Sequence, residues 1–508
     1  MNKHPILMGT LILTVTGFLS RILGFFYRIF LSRAIGAEGL GLYQMIFPVH
    51  GIAFALCAGS IQTAISQLVA SGARRGREAL RTGLFISLSI AAALTASIFC
   101  FHDALAEYFL LEPACGPLLP VMALSIPFCA VHACICGYYY GLRKARVPAV
   151  SQLVEQVIRI FFVFLVADIY SEQGKEVTVA LAVWAMVIGE AASAVYSLLV
   201  YGLTAGNGKG SPATDPAEDH PSGFSAMAPA LMALAFPLMG NRLVLNLLQS
   251  LEAVFIPDRL NMFGLTGSEA LSVYGVLTGM ALPFILFPSA ITNSLSVMLL
   301  PAVAEAQALG NGARIRRTIA MALRYSLYMG ILCIGVFTIF GDSLGRIVFH
   351  NASAGDFITT LAWLCPFMYL ATTMGSVLNG LGETRLTFVH NVLALLLRLA
   401  FVVFLIPRHG ILAYLWGMLA SELFLALLHM SALGKQVGFP LDAVSMIVKP
   451  GVCLVISVGI LYALAPAWRD LSRAVEVEFV VPGAQIAVLT AVYGGLLGLL
   501  HRPEPSEP

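Results

Sequence analysis

Charged residues are scarce in this chain of 508 residues: Asp, Glu, Lys and Arg make up only 11% of it, whereas 59% is hydrophobic. Such a shortage of charge excludes a soluble globular protein and indicates a polytopic membrane protein. The net charge of +2 is too small to point to a charged partner. We therefore expect no nucleic acid partner.

The nine cysteines fall mostly inside apolar segments and lack the spacing of metal ligands. Cys134 and Cys136, for example, are only two positions apart. Small buried hydrophobic residues explain them better than disulfides or zinc ligands. We expect neither a metal nor a cofactor.

Long polar segments are also rare. The longest, 204–225, is rich in Gly, Pro, Ser, Asp and Glu and shows no apolar period, which predicts a flexible linker. A membrane enzyme would normally carry acidic, histidine-rich or Ser/His clusters in its loops. A channel would show a selectivity filter, and nothing in the chain resembles one. The sequence thus favours a transporter over an enzyme or a channel.

Apolar segments of about 20 residues or more predict transmembrane helices. The first lacks a small-residue cleavage site, so we expect an uncleaved span rather than a signal peptide. The second contains Pro48, Gly51 and Gly59, which predict a kink. The fourteen predicted spans are 6–31, 41–70, 82–102, 116–141, 148–168, 178–203, 227–256, 271–303, 320–341, 357–380, 386–406, 410–433, 443–465 and 479–500.

The basic residues outside these spans and at their ends predict the orientation of the chain. With the N-terminus in the cytoplasm, the cytoplasmic segments carry sixteen lysines and arginines and the outer segments carry seven. Positive residues concentrate on the cytoplasmic side of membrane proteins. We therefore expect both termini in the cytoplasm.

An internal repeat divides the first twelve spans into two sets of six. The segment 141–167 aligns with 380–406 with seven identities, including Gly141 with Gly380 and Arg159 with Arg398. A second similarity relates 36–43 to 267–274, before the second and eighth spans. Units of six helices share one topology, so their axis should run along the membrane normal.

We therefore predict an all-α polytopic membrane protein with two six-helix lobes related by a pseudo-twofold axis, plus two C-terminal helices. The predicted divisions are an N-lobe (1–203), a linker (204–225), a C-lobe (226–433) and a C-terminal part (434–508) that holds the last two spans and a tail. A cavity between two such lobes is the plan of an alternating-access transporter.

Two arginines, Arg21 and Arg28, lie within the first span. An arginine at bilayer depth costs about 3 kcal/mol, so it should face protein or a water-filled cavity. Seven residues make about two turns, which places both guanidinium groups on one helix face. Their planar forks suit phosphate oxygens. The alternative is an internal salt bridge, or for Arg28 snorkelling to the interface.

The seventh span carries a similar polar stripe. Arg242, Asn246 and Gln249 follow one another at helical spacing, and Glu252 lies three positions further on. Because this span is the repeat counterpart of the first, the stripe should face the same cavity. We predict that Arg242, Asn246 and Gln249 bind substrate; the alternative is hydrogen bonding between packed helices.

The acids within the spans are candidates for ion pairs or ion coupling. Glu155 and Arg159 are one turn apart and favour a self-neutralising pair. Arg398 lacks an acid at the matching position, so it needs another neighbour, for which Glu422 is a candidate. Glu190, Glu252 and Glu422 could pair with arginines or bind a proton or sodium. The two histidines within spans, His50 and His132, are interpreted as hydrogen-bonded packing residues.

Several motifs resemble the stage V sporulation protein B family, a polysaccharide-biosynthesis branch of the multidrug/oligosaccharidyl-lipid/polysaccharide exporter superfamily that is close to the MurJ lipid II flippases. The motifs are SRILGF at 20–25, GAEGLGLYQM at 36–45, Ser151-Gln152 followed by Glu155, Gln156 and Arg159, and YGVLTGMALP at 274–283. The resemblance covers nearly the whole chain. It implies fourteen helices, two lobes and outward movement of an undecaprenyl-diphosphate-linked sugar. In the MurJ branch an arginine follows the Gly-Phe more closely; here it comes one place later, at Arg28.

The resulting expectation is a flippase for lipid II or a related lipid-linked polysaccharide unit in the bacterial plasma membrane. Its partners would be this lipid-linked substrate, membrane lipids and either Na⁺ or H⁺, and we expect a monomer. One alternative is a cation-coupled drug exporter of the same superfamily, which should show acids in its cavity. Another is a non-transporting scaffold in wall assembly, in which the cavity arginines would tolerate alanine. A link to sporulation follows from the resemblance alone.

Overall fold

The computed structural model describes residues 4–71, 73–206, 224–438, 442–474 and 478–500, and this part of the chain is almost entirely helical. Each helix satisfies its own backbone hydrogen bonds, as lipid requires of a spanning segment. The helices are α1 (His4–Ala34), α2 (Gly36–Ser71), α3 (Gly76–Phe109), α4 (Leu118–Gly141), α5 (Arg146–Glu172), α6 (Val179–Gly206), α7 (Phe224–Phe263), α8 (Gly267–Leu286), α9 (Ser289–Ala308), α10 (Gly312–Phe349), α11 (Ala352–Gly380), α12 (Thr384–His409), α13 (Ile411–Gln436), α14 (Val444–Ala463), α15 (Ala465–Ala474) and α16 (Val480–Leu500).

Fifteen of these helices, all except α15, are long and apolar enough to cross a membrane. The all-α polytopic fold is therefore confirmed, with one correction: the predicted eighth span, 271–303, is two helices, α8 and α9. The break lies at Phe287 and Pro288. Proline lacks an N–H and disfavours helical backbone in the residue before it. The apolar run continues across this break, which is why hydrophobicity alone predicted one span.

The predicted irregularity in the second span lies within α2. A turn at Ile46 precedes Pro48, and a π-helical turn occupies Ala55–Gly59. A π-helical turn breaks the regular ladder of backbone hydrogen bonds inside a helix. This turn lies beside the part of α7 that carries Arg242.

The described chain forms two compact units, one running to Gly275 and one starting at Val276. In the first unit α4 packs against α2, α3 and α6, α5 packs against α1 and α6, and α2 also contacts α7 and α8. In the second unit α11 packs against α9, α10 and α13, and α13 also contacts α12. The division into lobes at 1–203 and 226–433 stays a prediction. Most of the predicted linker, 207–223, and the end of the predicted tail, 501–508, lie outside the described residues.

The two glycines aligned by the internal repeat have the same surroundings. A Cβ on Gly141 would lie 2.7 Å from the carbonyl oxygen of Ser66 and 2.5 Å from Cβ of Val69 in α2. A Cβ on Gly380 would lie 2.8 Å from the carbonyl oxygen of Leu300 and 3.0 Å from Cβ of Val303 in α9. Small residues let membrane helices approach closely. The similarity between the two segments therefore extends from sequence to packing.

All nine cysteines are free, and eight of them are buried, Cys100 being exposed. Their surroundings are the packed faces of helices. The interpretation as small buried residues is therefore confirmed for these eight.

Candidate functional site

The two candidate arginines of α1 lie in different surroundings. Arg21 is exposed, whereas Arg28 is partly buried and lies within electrostatic range of Tyr27, Tyr43 and Arg159. Tyr27 and Tyr43 are 5% and 6% exposed, so this end of α1 is packed against α2 and α5. Arg28 therefore joins a buried polar region, while Arg21 is available to a ligand.

Glu155 and Arg159 form the predicted ion pair along α5. Nη2 of Arg159 donates to Oε1 of Glu155, and both side chains are about 85% buried. The absence of a side chain at Gly189 of α6 makes room for this pair. A Cβ at Gly189 would lie 3.0 Å from the carbonyl oxygen of Glu155 and 3.2 Å from Cβ of Arg159. The α5–α6 interface is thus built around two neutralised charges.

Glu190 faces this pair from α6, and His132 joins it from α4. Nδ1 of His132 lies 3.8 Å from Oε2 of Glu190 and 3.2 Å from Oγ of Ser193. Nε2 of the same ring lies 2.6 Å from Oγ of Ser151 in α5. Glu190 is also within electrostatic range of Arg159. Three helices therefore converge on one buried polar cluster of His132, Ser151, Glu155, Arg159, Glu190 and Ser193, here called the N-terminal polar cluster.

The stripe on α7 turns toward α2. Nη2 of Arg242 donates to Oγ1 of Thr63 over 3.2 Å, and Nδ2 of Asn246 donates to the carbonyl oxygen of Gly51 over 3.3 Å. The guanidinium of Arg242 fits against Gly59 at the end of the π-helical turn, where a Cβ would lie 2.0 Å from its Nη1. These contacts hold Arg242 and Asn246 in place from one side. They match the packing alternative and leave the rest of each polar group available.

The other two candidates on α7, Gln249 and Glu252, are placed differently from each other. Gln249 is exposed. Glu252 is 6% exposed and lies within electrostatic range of Tyr274 in α8. Glu252 is therefore part of the packed interior of the first unit, whereas Gln249 is accessible.

Arg398 and Glu422 approach each other in the second unit, as the sequence suggested. Nη1 of Arg398 lies 3.8 Å from Oε1 of Glu422, and the two side chains are 14% and 21% exposed. Glu422 also lines a polar cavity of about 330 Å³ between α11, α12 and α13. The other polar groups of its wall include Asn391 and His429. A second buried charge pair thus lies in the repeat-related helices.

His132, Ser151 and Ser193 are functional candidates that the sequence did not reveal. A single histidine on an apolar helix carries no signal of its partners, and they come from positions 19 and 61 residues away. The motif that includes Ser151 and Glu155 was visible, but its connection to α4 and α6 depends on packing. Within this cluster, only the spacing of Glu155 and Arg159 predicts a contact between two particular side chains.

The sequence of this chain is similar to those of a known protein family and of several bacterial membrane proteins. The family described as "Polysaccharide biosynthesis protein" matches residues 6–307. Stage V sporulation protein B of Bacillus subtilis (strain 168) is 29% identical over 444 residues, covering 86% of this chain and 85% of that protein. The lipid II flippase MurJ of the same organism is 23% identical over 464 residues, covering 83% and 82%.

Two solved structures show the same fold at low sequence identity. The inward closed conformation of the lipid II flippase MurJ superposes with a TM-score of 0.72 at 14% identity, covering 97% of this chain and 99% of that one. An inward-facing multidrug resistance MATE family transporter of the MOP superfamily gives a TM-score of 0.64 at 16% identity, covering 82% and 96%. The chain is a multi-pass membrane protein with the fold of these transporters.

Proposed function

The chain belongs to the polysaccharide biosynthesis protein family, and from that premise we propose that it is a flippase for an undecaprenyl-diphosphate-linked cell-wall precursor. The precursor, lipid II or a related lipid-linked polysaccharide unit, moves from the inner to the outer leaflet of the plasma membrane by alternating access. Relatives in the family include stage V sporulation protein B and the lipid II flippase MurJ. A role in wall synthesis during sporulation agrees with the first of these names.

The observation that carries the proposal is the set of arginines on membrane helices. Arg21 is exposed, Arg28 is partly buried, and Arg242 is held by Thr63 with its guanidinium otherwise available. A diphosphate cannot cross hydrocarbon unless its charges are compensated. Arginine compensates them with a planar fork that binds phosphate oxygens in pairs. In this account Arg21, Arg28 and Arg242 bind the diphosphate, while Asn246 and Gln249 contact the sugar.

The membrane potential is the first available source of energy for the transfer. Each charge moved across the membrane potential contributes about 2.3 kcal/mol per 100 mV. With both termini in the cytoplasm, the substrate enters from the cytoplasmic leaflet with its polyprenyl tail remaining in lipid. An Na⁺ or H⁺ gradient is the second available source, and Glu155, Glu190 and Glu422 are the acids on which such an ion would act. The transporter works as a monomer.

A cation-coupled drug exporter is the second candidate. The buried acids Glu155 and Glu190 favour it, because exporters that bind cations need acids within the membrane. Glu155 is neutralised by Arg159, however, and the exposed Arg21 repels cations. The arginines therefore favour an anionic substrate over a cationic drug.

Native mass spectrometry tests the substrate. Purified protein is offered lipid II, an undecaprenyl-diphosphate oligosaccharide and a cationic dye, with Arg21→Ala compared with Arg33→Ala as a matched control on the same helix. A hydrogen bond to a charged group contributes about 1.5–3 kcal/mol, so Arg21→Ala should weaken lipid binding at least about tenfold. Binding of the dye alone would support the exporter. Equal binding by Arg21→Ala and the parent would support a scaffold.

A further inference from the structure

The N-terminal polar cluster contains a carboxylate with an unused oxygen. Glu190 is 9% exposed, and its Oε2 accepts no hydrogen bond from the described residues. Its neighbour on that side is Nδ1 of His132 at 3.8 Å, too long for a hydrogen bond. A buried carboxylate without hydrogen bonds is strongly disfavoured. Oε2 of Glu190 is therefore aimed at a place where a further positive charge would stabilise it.

Two serine hydroxyl groups beside His132 indicate that the imidazole ring could hold this positive charge. Oγ of Ser151 donates to the carbonyl oxygen of Pro148 over 3.2 Å, and Oγ of Ser193 donates to the carbonyl oxygen of Glu190 over 2.9 Å. A serine hydroxyl that donates to its carbonyl can accept a hydrogen bond from the imidazole. Oγ of Ser151 lies at Nε2 and Oγ of Ser193 lies at Nδ1. The two hydroxyls therefore offer an acceptor at each ring nitrogen, an arrangement that suits a ring carrying both protons.

We propose that His132 and Glu190 form a proton-binding site, in which His132 takes up the proton between Ser151 and Ser193 and Glu190 supplies the counter-charge. Binding needs no other reactant, because the proton comes from water and leaves to water. The surrounding charges agree, since Arg159 already neutralises Glu155. The other titratable or charged groups near the pair are His50 from α2, Cys129 and Cys136 from α4, and Glu155 and Arg159 from α5.

The chemistry favours a proton over a metal ion at this place. Atoms of His132, Glu155 and Glu190 lie within 4.8 Å of one another, close enough for a small cation to fit. Sodium prefers oxygen ligands to an imidazole nitrogen, and Glu155 is already bound by Arg159. A divalent ion would bring two positive charges beside the Arg159 guanidinium. A proton adds one charge and needs no rearrangement.

The site is connected electrostatically to Arg28 of α1. Arg159 lies within electrostatic range of Glu190, Tyr43 and Tyr27, and Arg28 lies within range of the same two tyrosines. A positive charge gained at His132 therefore changes the electrostatic potential at Arg28 through these neighbouring groups. Coupling of this proton to transport rests on the proposed function, whereas the proton site itself does not.

Infrared and NMR titration of the full-length protein in nanodiscs tests the site without a transport assay. Carboxylate bands and histidine ring signals are followed against pH in the parent, His132→Gln, Glu190→Gln and the control His429→Gln. His429 is a buried histidine in α13 whose Nδ1 meets the carbonyl oxygen of Ala371 at 3.1 Å, a single acceptor. We expect a histidine ring whose titration is coupled to a carboxylate band. This coupled signal is lost in His132→Gln and in Glu190→Gln and is retained in His429→Gln.

A further variant and a change of cation distinguish the proton site from its alternatives. Ser193→Ala removes one hydrogen-bond partner of the ring and should change the titration of His132, which tests the site even if Glu190→Gln fails to fold. Identical titrations in the parent and in His132→Gln would overturn the proposal. Band changes that follow Na⁺ or a divalent ion instead of pH would also overturn it and assign the site to a metal cation. A parent protein that titrates as expected but moves no lipid would retain the proton site and reject the flippase.

Discussion

Gly41 of α2 and Gly275 of α8 lie directly against each other. A Cβ on Gly275 would lie 2.5 Å from the backbone nitrogen of Gly41, and a Cβ on Gly41 would lie 3.3 Å from the backbone nitrogen of Gly275. Only glycine permits this approach of two helices. Both helices start at the segments that the internal repeat aligns, and a π-helical turn, Val276–Ala281, follows at once in α8.

Substituting either glycine should open this contact. Gly275→Ala places its Cβ 1.9 Å from the carbonyl oxygen of Ala37, so the helices must separate, and overpacking of this kind costs about 1–3 kcal/mol. We expect a lower melting temperature in detergent and slower transport. The matched control is Gly240→Ala, since a Cβ there meets nothing within 4 Å. An unchanged melting temperature for Gly275→Ala would show that the contact does not hold α2 to α8.

The position of Arg242 depends on Gly59. In Gly59→Ala the new methyl group occupies the place of Nη1, so the guanidinium must leave Thr63. We expect Gly59→Ala to weaken lipid binding as much as Arg242→Ala does, measured by native mass spectrometry. Gly51→Ala is the control on the same helix, because its Cβ would make an ordinary 3.8 Å contact with Asn246. Equal binding by Gly59→Ala and the parent would contradict a substrate role for Arg242.

Breaking one half of the Glu155–Arg159 pair should cost more than removing both halves. Arg159→Gln leaves a buried carboxylate uncompensated, which costs about 3–5 kcal/mol, whereas the double variant with Glu155→Gln removes both charges. The measurement is a double-mutant cycle of unfolding free energies. Additive effects would mean that the two side chains do not stabilise each other.

The N-terminus is predicted to be in the cytoplasm, which cysteine labelling can check. In a background with Cys100→Ser, which removes the exposed thiol, Lys175→Cys should react with a membrane-impermeant maleimide in intact cells. Lys144→Cys, in the loop after α4, should react only after permeabilisation. The reverse pattern would invert the orientation.

A large part of the fold and of the candidate site can be predicted from the local spacing of residues in the sequence. The Glu155–Arg159 pair follows from a separation of one helical turn, and the helices follow from runs of apolar residues. The polar spacing along α7 identifies Arg242 as a candidate, but its partner Thr63 is 179 residues away and no local pattern reveals it. The break at Pro288 was missed because the residues around it remain apolar. The sequence predicts His132 as a hydrogen-bonded packing residue, and only the fold reveals that two serines and Glu190 meet its ring.

The most direct measurement of the central claim is movement of a fluorescent lipid II across reconstituted vesicles, followed by chemical quenching of the outer leaflet. The account predicts protein-dependent flipping that is lost in Arg21→Ala, weakened in Arg28→Ala and Arg242→Ala, and retained in Arg33→Ala. Flipping at the parent rate in a triple variant of Arg21, Arg28 and Arg242 to alanine would contradict it.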